Sequence, residues 1–302
     1  MTSNDVIEST LRIEPMRTIQ NILFPVDFSP SCAAMAAFVK RGASIFGARV
    51  TLVHVFDFYS HAVQLYVRPP SEVAEEQEIL ARQKLDSFLK SEFPVGECPR
   101  ILLSGDAATQ IAQFARIDRS NLIIMPTHAG VFRRTLLGST TAKVLNDTDC
   151  PVLTTQHAET IPPRQLEHRE WVCAIDLNAD SERVLRFASQ AAKDVHANLT
   201  VVHVILASGT DLPVQLDLEE RLQSAEREAA SSRIDELQGA VGSDARVSIA
   251  IGAIKDMLTE EARRLRADVL VIGRSPQSGV LGRLRDLCYA VVRDAPCPVL
   301  SV

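Results

Sequence analysis

Gly138-Ser139-Thr140 is the stretch of this chain whose residue types are best suited to binding an anion. It follows an apolar run and opens a segment with helical spacing, so it predicts a helix N-terminus. The first backbone N–H groups of a helix have no partner within the helix, and the helix dipole adds positive charge there. A phosphate oxygen suits such a turn. The plainer alternative is an ordinary helix start that a hydroxyl group caps.

A carboxylate is predicted close to this turn. Asp27 follows an apolar strand over residues 21–26 and precedes a Ser-Pro pair that is typical of a helix start. Val55 ends a second predicted strand. Because the carboxyl ends of parallel strands share one edge of a sheet, where ligands bind, we expect Asp27, Val55 and the loop over residues 126–139 to lie together. Two roles for Asp27 remain open, a ligand contact and a helix cap.

The sequence is duplicated. Residues 122–154 recur as residues 269–301 when the shared motif CPVL is superposed, and residues 24–55 match residues 173–204, both without a gap. The chain therefore holds two copies of one domain, and any account of its function must explain the duplication.

Each copy is predicted to contain five strands separated by helices, which indicates an α/β fold with a doubly wound parallel sheet. In the first copy we expect a helix of small residues that ends near Gly47 and a polar helix over residues 71–93. The predicted organisation is an N-terminal arm over residues 1–18, a first domain over 19–155, a linker rich in proline and polar residues over 156–170, and a second domain over 171–302.

The composition limits the classes of function. Of 302 residues, 46% are hydrophobic and 5% aromatic, which favours the aliphatic cores that parallel sheets use. A formal net charge of -6 argues against a general binder of nucleic acid or anionic membranes. No apolar run reaches the roughly 18 residues of a membrane span, and the N-terminus lacks a signal-peptide pattern, so we expect a cytoplasmic protein. The six cysteines have no CxxC spacing, so we expect reduced thiols without a metal.

These features resemble the universal stress proteins in their tandem-domain form, over nearly the whole chain. The motifs that carry the resemblance are ILFPVDFSP from Ile22, LVHV from Leu52, VVHV from Val201, Gly105 and Gly252 before the third helices, LLGSTTAKVL from Leu136, and CPVL in both halves. The resemblance implies two five-stranded sheets of order 3-2-1-4-5, like those of adenine nucleotide alpha hydrolases. It also implies that the fifth strands pair the two domains into a pseudo-dimer.

Many members of that family bind ATP or a related adenine nucleotide, while others bind none. The resemblance implies that the first domain holds the nucleotide, with or without magnesium, through residues on one sheet edge. These residues are Pro25, Val26, Asp27, Val55, Met125, Thr127, His128, Gly130, Arg133, Gly138, Ser139 and Thr140. The first domain departs from the family pattern because Pro126 and Ala129 replace two glycines and the loop is one residue shorter. Proline removes an N–H donor, and alanine restricts the backbone.

The second domain keeps Asp176, Val204 and Gly273 of the implied site. Pro276 replaces the second glycine, and Arg285-Asp286 stands where Gly-Ser belongs. A carboxylate at a helix N-terminus would satisfy its N–H groups and repel a phosphate. We therefore expect a degenerate second site without a cofactor.

Three functions remain open. The first is a stress-response regulatory module that binds an adenine nucleotide, and the second is an interaction scaffold that needs no nucleotide. The third is a slow ATPase, for which the sequence offers no P-loop, and His54 and His203 are better explained as buried, hydrogen-bonded residues than as catalytic ones. We expect the two domains to pair with each other, with a homodimer of whole chains and an unidentified protein as further partners, and no nucleic acid or membrane.

Overall fold

This computed structural model of the chain describes residues 17–56, 70–127, 137–156, 165, 167–206, 216–274 and 281–302. For residues 70–74, 216–220 and 281–286 it describes the backbone. Residues 1–16 of the predicted arm over residues 1–18 lie outside the described residues, as do residues 57–69.

Strands and helices alternate in each half of the chain. The first repeat consists of β1 (Asn21–Pro25), α1 (Pro30–Ala34), α2 (Ala36–Phe46), β2 (Arg49–Phe56), α3 (Pro70–Ser87), β3 (Arg100–Ser104), α4 (Ala107–Ile117), β4 (Leu122–Pro126), α5 (Ser139–Asp147) and β5 (Val152–Thr155). The second repeat consists of β6 (Glu170–Ala174), α6 (Ser181–Asp194), β7 (Asn198–Ile205), α7 (Leu216–Val241), β8 (Arg246–Ile251), α8 (Ile254–Arg264), β9 (Val269–Ile272), α9 (Leu281–Asp294) and β10 (Val299–Ser301).

The ten strands of the described residues form one sheet in the order β3-β2-β1-β4-β5-β10-β9-β6-β7-β8. Strands within a repeat run parallel, whereas β5 and β10 run antiparallel, with Leu153 opposite Leu300. The predicted order 3-2-1-4-5 and the predicted pairing through the fifth strands are both confirmed. Because the joint is antiparallel, the carboxyl ends of the two sets of strands lie at opposite ends of the sheet. We call the carboxyl ends of β1, β2 and β4 the first edge, and those of β6, β7 and β9 the second edge.

The strands are apolar because helices cover both faces of the sheet. Every residue of β4 and of β9 is buried, as expected for central parallel strands. On one face a single core runs across the joint, from Phe24 in the first repeat to Trp171 in the second. On the other face each repeat has its own core, and Leu137 contacts both.

Two helices of the first repeat differ from their predicted extents. The helix of small residues is broken at Met35 into α1 and α2, and it ends at Gly47 as predicted, where a φ of 63° suits glycine. The polar helix α3 ends at Ser87 instead of residue 93. Leu89 has a φ of 53°, which a continuing right-handed helix does not allow.

The end of the predicted linker is buried in the shared core. His168 is 2% exposed and its ring lies 5.3 Å from that of Phe38 and 6.0 Å from that of Trp171. Burial lowers the pKa of His168 to about 4. A pattern of polar residues and prolines gave no sign of this contact.

Among the residues that the structure describes, no helix is long and apolar enough to cross a membrane. The same part of the chain holds no group of three or more side chains that would bind a metal ion. All six cysteines are free thiols, and four of them are buried.

Candidate functional site

Asp27 lies at the first edge, two residues after the end of β1, and is exposed. Its Oδ1 atom accepts a hydrogen bond from the Ser29 N–H at 2.9 Å. Ser29 in turn caps α1, since its hydroxyl accepts from the Cys32 N–H at 3.1 Å, and Pro30 begins the helix. The helix start is therefore capped by Ser29, and Asp27 supports the turn before it through a single backbone contact.

The predicted anion-binding turn is a helix N-terminus, because Gly138 is the N-cap of α5. The Gly138 N–H donates to the Thr127 carbonyl at 2.7 Å, and the Thr141 hydroxyl donates to the Pro126 carbonyl at 3.0 Å. These two bonds fix the start of α5 beside the end of β4. Gly138 has no side chain that could cap the helix. The N–H groups of the first turn, at Ser139, therefore point out of the helix end without a side-chain acceptor.

Nine of the twelve residues predicted for the first site are described, and all nine lie at the first edge. Pro25, Val26, Met125 and Thr127 are buried, Val55, Gly138 and Thr140 are half-buried, and Asp27 and Ser139 are exposed. The remaining three, His128, Gly130 and Arg133, lie outside the described residues. The buried members are suited to form a floor, and the exposed ones are suited to contact a ligand.

An aromatic residue that sequence reasoning missed lies beside Asp27. The Phe28 ring lies 4.2 Å from the His54 ring and 5.3 Å from the Phe88 ring, and Phe28 has a φ of 63°. The left-handed turn is what brings this ring back over the strand end. In sequence, an aromatic residue directly after the strand aspartate was the available signal.

The two histidines near the strand ends are hydrogen-bonded, as predicted, and both are half-buried rather than buried. Nδ1 of His54 lies 2.7 Å from the Val26 carbonyl, and Nδ1 of His203 lies 2.9 Å from the Ile175 carbonyl. Burial lowers the pKa of His54, which keeps its ring neutral. Both rings therefore tie neighbouring strands together.

At the second edge, Asp176 is engaged more fully than Asp27. Its Oδ1 atom accepts from the Asn178 N–H at 3.2 Å and from the Ser181 hydroxyl at 3.1 Å, and its Oδ2 atom accepts from the Asn178 amide at 2.8 Å. Three donors hold this carboxylate in the turn that leads to α6. The capping alternative therefore describes Asp176 better than it describes Asp27.

The helix start at the second edge is displaced, which corrects one expectation. Helix α9 begins at Leu281, so Asp286 lies in its second turn and not at its N-terminus. The physical reason for the earlier helix start is that the second repeat has Arg285 where the first repeat has Gly138. Glycine costs about 1 kcal/mol in a helix relative to alanine, whereas arginine is among the best helix formers, so α9 continues through this point.

A cavity of about 1090 Å³ opens at the second edge. It is lined by Asp176, Val204 and Gly273, the three residues predicted for a degenerate site, and by residues of the first repeat near the end of α5. The sequence motifs predicted the position of these three residues at one edge, but they gave no indication that the first repeat contributes to the same cavity.

Arg274 is the second residue that sequence reasoning missed. It follows Gly273, and its guanidinium donates to the carbonyls of Leu145, Thr148 and Cys150 in the first repeat at 2.7 to 3.1 Å. Burial lowers the pKa of Arg274. Its equivalent in the first repeat is Thr127, and this exchange of a short side chain for an arginine was the only signal in the sequence.

Comparisons with known proteins agree with this architecture. A family model described as the universal stress protein family matches residues 18–156 and 169–302. Universal stress protein A homolog 1 of Coxiella burnetii is 29% identical over 143 residues, which cover 45% of this chain and 97% of that protein.

Two solved structures share the fold over most of the chain. A universal stress protein from Archaeoglobus fulgidus has a TM-score of 0.62 and 18% identity, and the match covers 94% of this chain and 96% of that one. A functionally unknown protein from Pseudomonas aeruginosa has a TM-score of 0.59 and 18% identity, with 94% and 92% covered. The two matched segments span both repeats, and the chain therefore belongs to the universal stress protein family, with the family's domain present twice.

Proposed function

We propose that this protein is a cytoplasmic stress-response regulatory module that binds ATP or a related adenine nucleotide at the first edge. The observation that carries the proposal is the uncapped start of α5 at Gly138 on the same sheet edge as the exposed carboxylate of Asp27. The nucleotide-bound state would alter the activity of a protein partner. Domain limits of 19–155 and 171–302 belong to the same proposal.

The residues of the first edge fit such a ligand. The absence of a side chain at Gly138 lets a phosphate approach the N–H groups of Ser139 and Thr140, where the helix dipole favours an anion. Asp27 keeps carboxylate oxygen directed at solvent for the hydroxyl or amino groups of a nucleoside. Val55, half-buried at the end of β2, offers an apolar surface to a base.

The second edge is proposed to lack this activity. Asp176 is held by three donors, and α9 begins five residues before the position equivalent to Ser139. A phosphate at the second edge would therefore lack the helix terminus that the first edge provides.

A second candidate function is an interaction scaffold that works without nucleotide. The observation that favours it is Pro126, which is buried and paired with Thr155 in the ladder between β4 and β5. The strand therefore continues through the position where nucleotide-binding relatives have a glycine, and this position offers no N–H group to a phosphate.

The test is a calorimetric titration of the full chain with ATP, together with mass spectrometry of small molecules released when the purified protein is denatured. We expect one nucleotide per chain for the wild type. Gly138→Asp places a carboxylate at the helix start and should weaken ATP binding by about a hundredfold. Arg285→Asp, the matched change in the second repeat, should leave ATP binding unchanged.

Each outcome separates the candidate functions. No nucleotide and no binding at millimolar ATP would exclude the regulatory module and favour the scaffold. Equal losses in the two variants would contradict the assignment to the first edge. Steady phosphate release that Ser139→Ala abolishes would instead identify a slow ATPase.

A further inference from the structure

Helix α5 connects the two edges of the molecule. It leaves the first edge at Gly138 and leads back to the start of β5, where Val152 pairs with Ser301 at the end of β10. Its nine residues span about 13 Å. The N-terminus of α5 thus lies at the first edge, while its C-terminus lies at the second edge.

Arg274 holds the C-terminal end of this helix from the second repeat. Its own backbone N–H donates to the Val302 carbonyl at 2.7 Å, which fixes it beside β10. Its Nη1 atom donates to the carbonyls of Leu145 at 2.7 Å and Thr148 at 3.1 Å, and Nη2 donates to that of Cys150 at 2.7 Å. The last carbonyls of a helix have no partner within the helix, and a cation there complements its dipole.

Two more residues hold α5 in place. The Tyr289 hydroxyl on α9 donates to the Ala142 carbonyl at 3.1 Å, one turn into α5. Leu137, just before the helix start, packs against the apolar core of the second repeat as well as that of the first. The second repeat therefore contacts α5 at its beginning, its first turn and its end.

In the described part of the chain, the contacts of Arg274 and Tyr289 have no counterpart in which the first repeat holds α9. The duplicated sequence places Thr127 at the position of Arg274 and Ala142 at that of Tyr289. The Thr127 hydroxyl donates to the Thr155 carbonyl within its own repeat, and alanine carries no polar side chain. Pairing thus holds a helix of the first repeat with side chains of the second.

We propose that Arg274 and Tyr289 are positioning residues for the phosphate-binding start of α5, so that the second repeat sets the affinity of the first edge for phosphorylated ligands. This inference rests on the proposed function of the first edge. The helix is short and continuous, so a shift of its C-terminal end moves its N-terminal N–H groups as well. The nucleoside contacts at Asp27 and Val55 belong to β1 and β2 and do not depend on α5.

The experiment compares ATP with adenosine, titrated into the full chain. For Arg274→Met we expect ATP affinity to fall about tenfold while adenosine affinity stays within about twofold of the wild type. Tyr289→Phe removes one hydroxyl group and should weaken ATP binding about twofold to threefold. Arg183→Met is the matched control, because Arg183 lines the same cavity but donates to the Val302 carbonyl within the second repeat. Its ATP affinity should not change.

A general loss of structure would lower both affinities, so an equal fall for ATP and adenosine overturns the proposal. Unchanged ATP affinity in Arg274→Met, or an equal loss in Arg183→Met, overturns it too. Should Arg274→Met fail to fold, Arg274→Lys and Tyr289→Phe give the same comparison, with ATP affinities between those of the wild type and the expected value for Arg274→Met. A wild type that binds neither ATP nor adenosine refutes the proposed function itself. A wild type and an Arg274→Met variant that bind ATP equally refute only the positioning role of Arg274.

Discussion

The first and second edges are built from equivalent strands in the same order, yet their polar groups are used differently. Asp27 makes a single backbone contact at the first edge, whereas the equivalent Asp176 is held by three donors. Gly138 is the N-cap of α5 at the first edge, whereas α9 continues through the equivalent Arg285. The comparison teaches that equivalent positions in the two repeats have different tasks. Both aspartates are exposed, but Asp176 also stabilises its own turn, and Arg274 beside it binds carbonyls of the first repeat.

The largest effect that we expect on stability concerns a difference just before the first strand of each repeat. His168 and Ile19 occupy equivalent buried positions, at 2% and 0% exposure. Burial lowers the pKa of His168 from its ordinary value of 6.5 to about 4. Between these two pH values the unfolded chain is protonated at His168, whereas the folded chain is not. The stability contribution is present above pH 6.5 and is lost as the pH falls toward 4. Between pH 7 and pH 5 we expect a loss of about 2 kcal/mol in the free energy of unfolding.

The measurement is urea unfolding at several pH values for the wild type and for His168→Leu. The variant makes the second repeat resemble the first at this position and should flatten the pH dependence in this window. Ile19→Leu serves as the control for repacking, with the pH dependence of the wild type retained. The same acid sensitivity in all three proteins would mean that His168 is not its source.

A medium effect should distinguish the two aspartates. Asp27→Ala should weaken ATP binding about tenfold, equivalent to about 1.4 kcal/mol, with little change in stability. Asp176→Ala leaves three donors without an acceptor and should lower the free energy of unfolding by about 1 kcal/mol, with ATP binding unchanged. Calorimetry and urea unfolding of both variants provide the check. If the two variants exchange these effects, the assignment of tasks to the edges is reversed.

The smallest effect concerns the close packing at Gly273. A Cβ atom there would lie 3.0 Å from Cγ2 of Val184, so Gly273→Ala should cost less than about 1 kcal/mol as Val184 adjusts. Its equivalent in the first repeat is Pro126. A double-mutant cycle with Val184→Ala should show that the shortened side chain removes most of this cost. Strict additivity would mean that the contact with Val184 does not explain the glycine.

Much of the fold could be predicted because its signals are local. Apolar runs such as that of β4 mark strands buried on both faces, and Ser29 and Gly47 mark helix ends at the predicted places. The duplication indicated two copies of one domain, and the resemblance to the universal stress proteins implied the strand order within each copy and the pairing through the fifth strands. The end of α3 was missed because a left-handed residue at Leu89 has no signature in its own side chain.

The candidate site was predictable at the positions where residue type and strand end coincide, as at Asp27 and Gly138. It was not predictable where a side chain acts at long range along the chain. Arg274 reaches carbonyls more than a hundred positions away, and backbone carbonyls exist at every residue. His168 was hidden for a related reason, since its burial depends on the rings of Phe38 and Phe46 in α2 as well as on that of nearby Trp171 in β6. Such contacts require the packed arrangement of both repeats.

The antiparallel pairing of β5 with β10 has a consequence for how this protein can change over time. In a dimer of identical chains related by a two-fold axis, every substitution occurs twice, so a new contact across the axis always has a mirror partner. Here both sides of the axis belong to one chain, so equivalent positions such as Arg274 and Thr127 can carry different residues. Dilution also cannot separate the two sides, because the connecting chain keeps their effective concentration high. Two repeats in one chain can therefore keep a contact that only one of them makes, which a symmetric homodimer of either repeat could not.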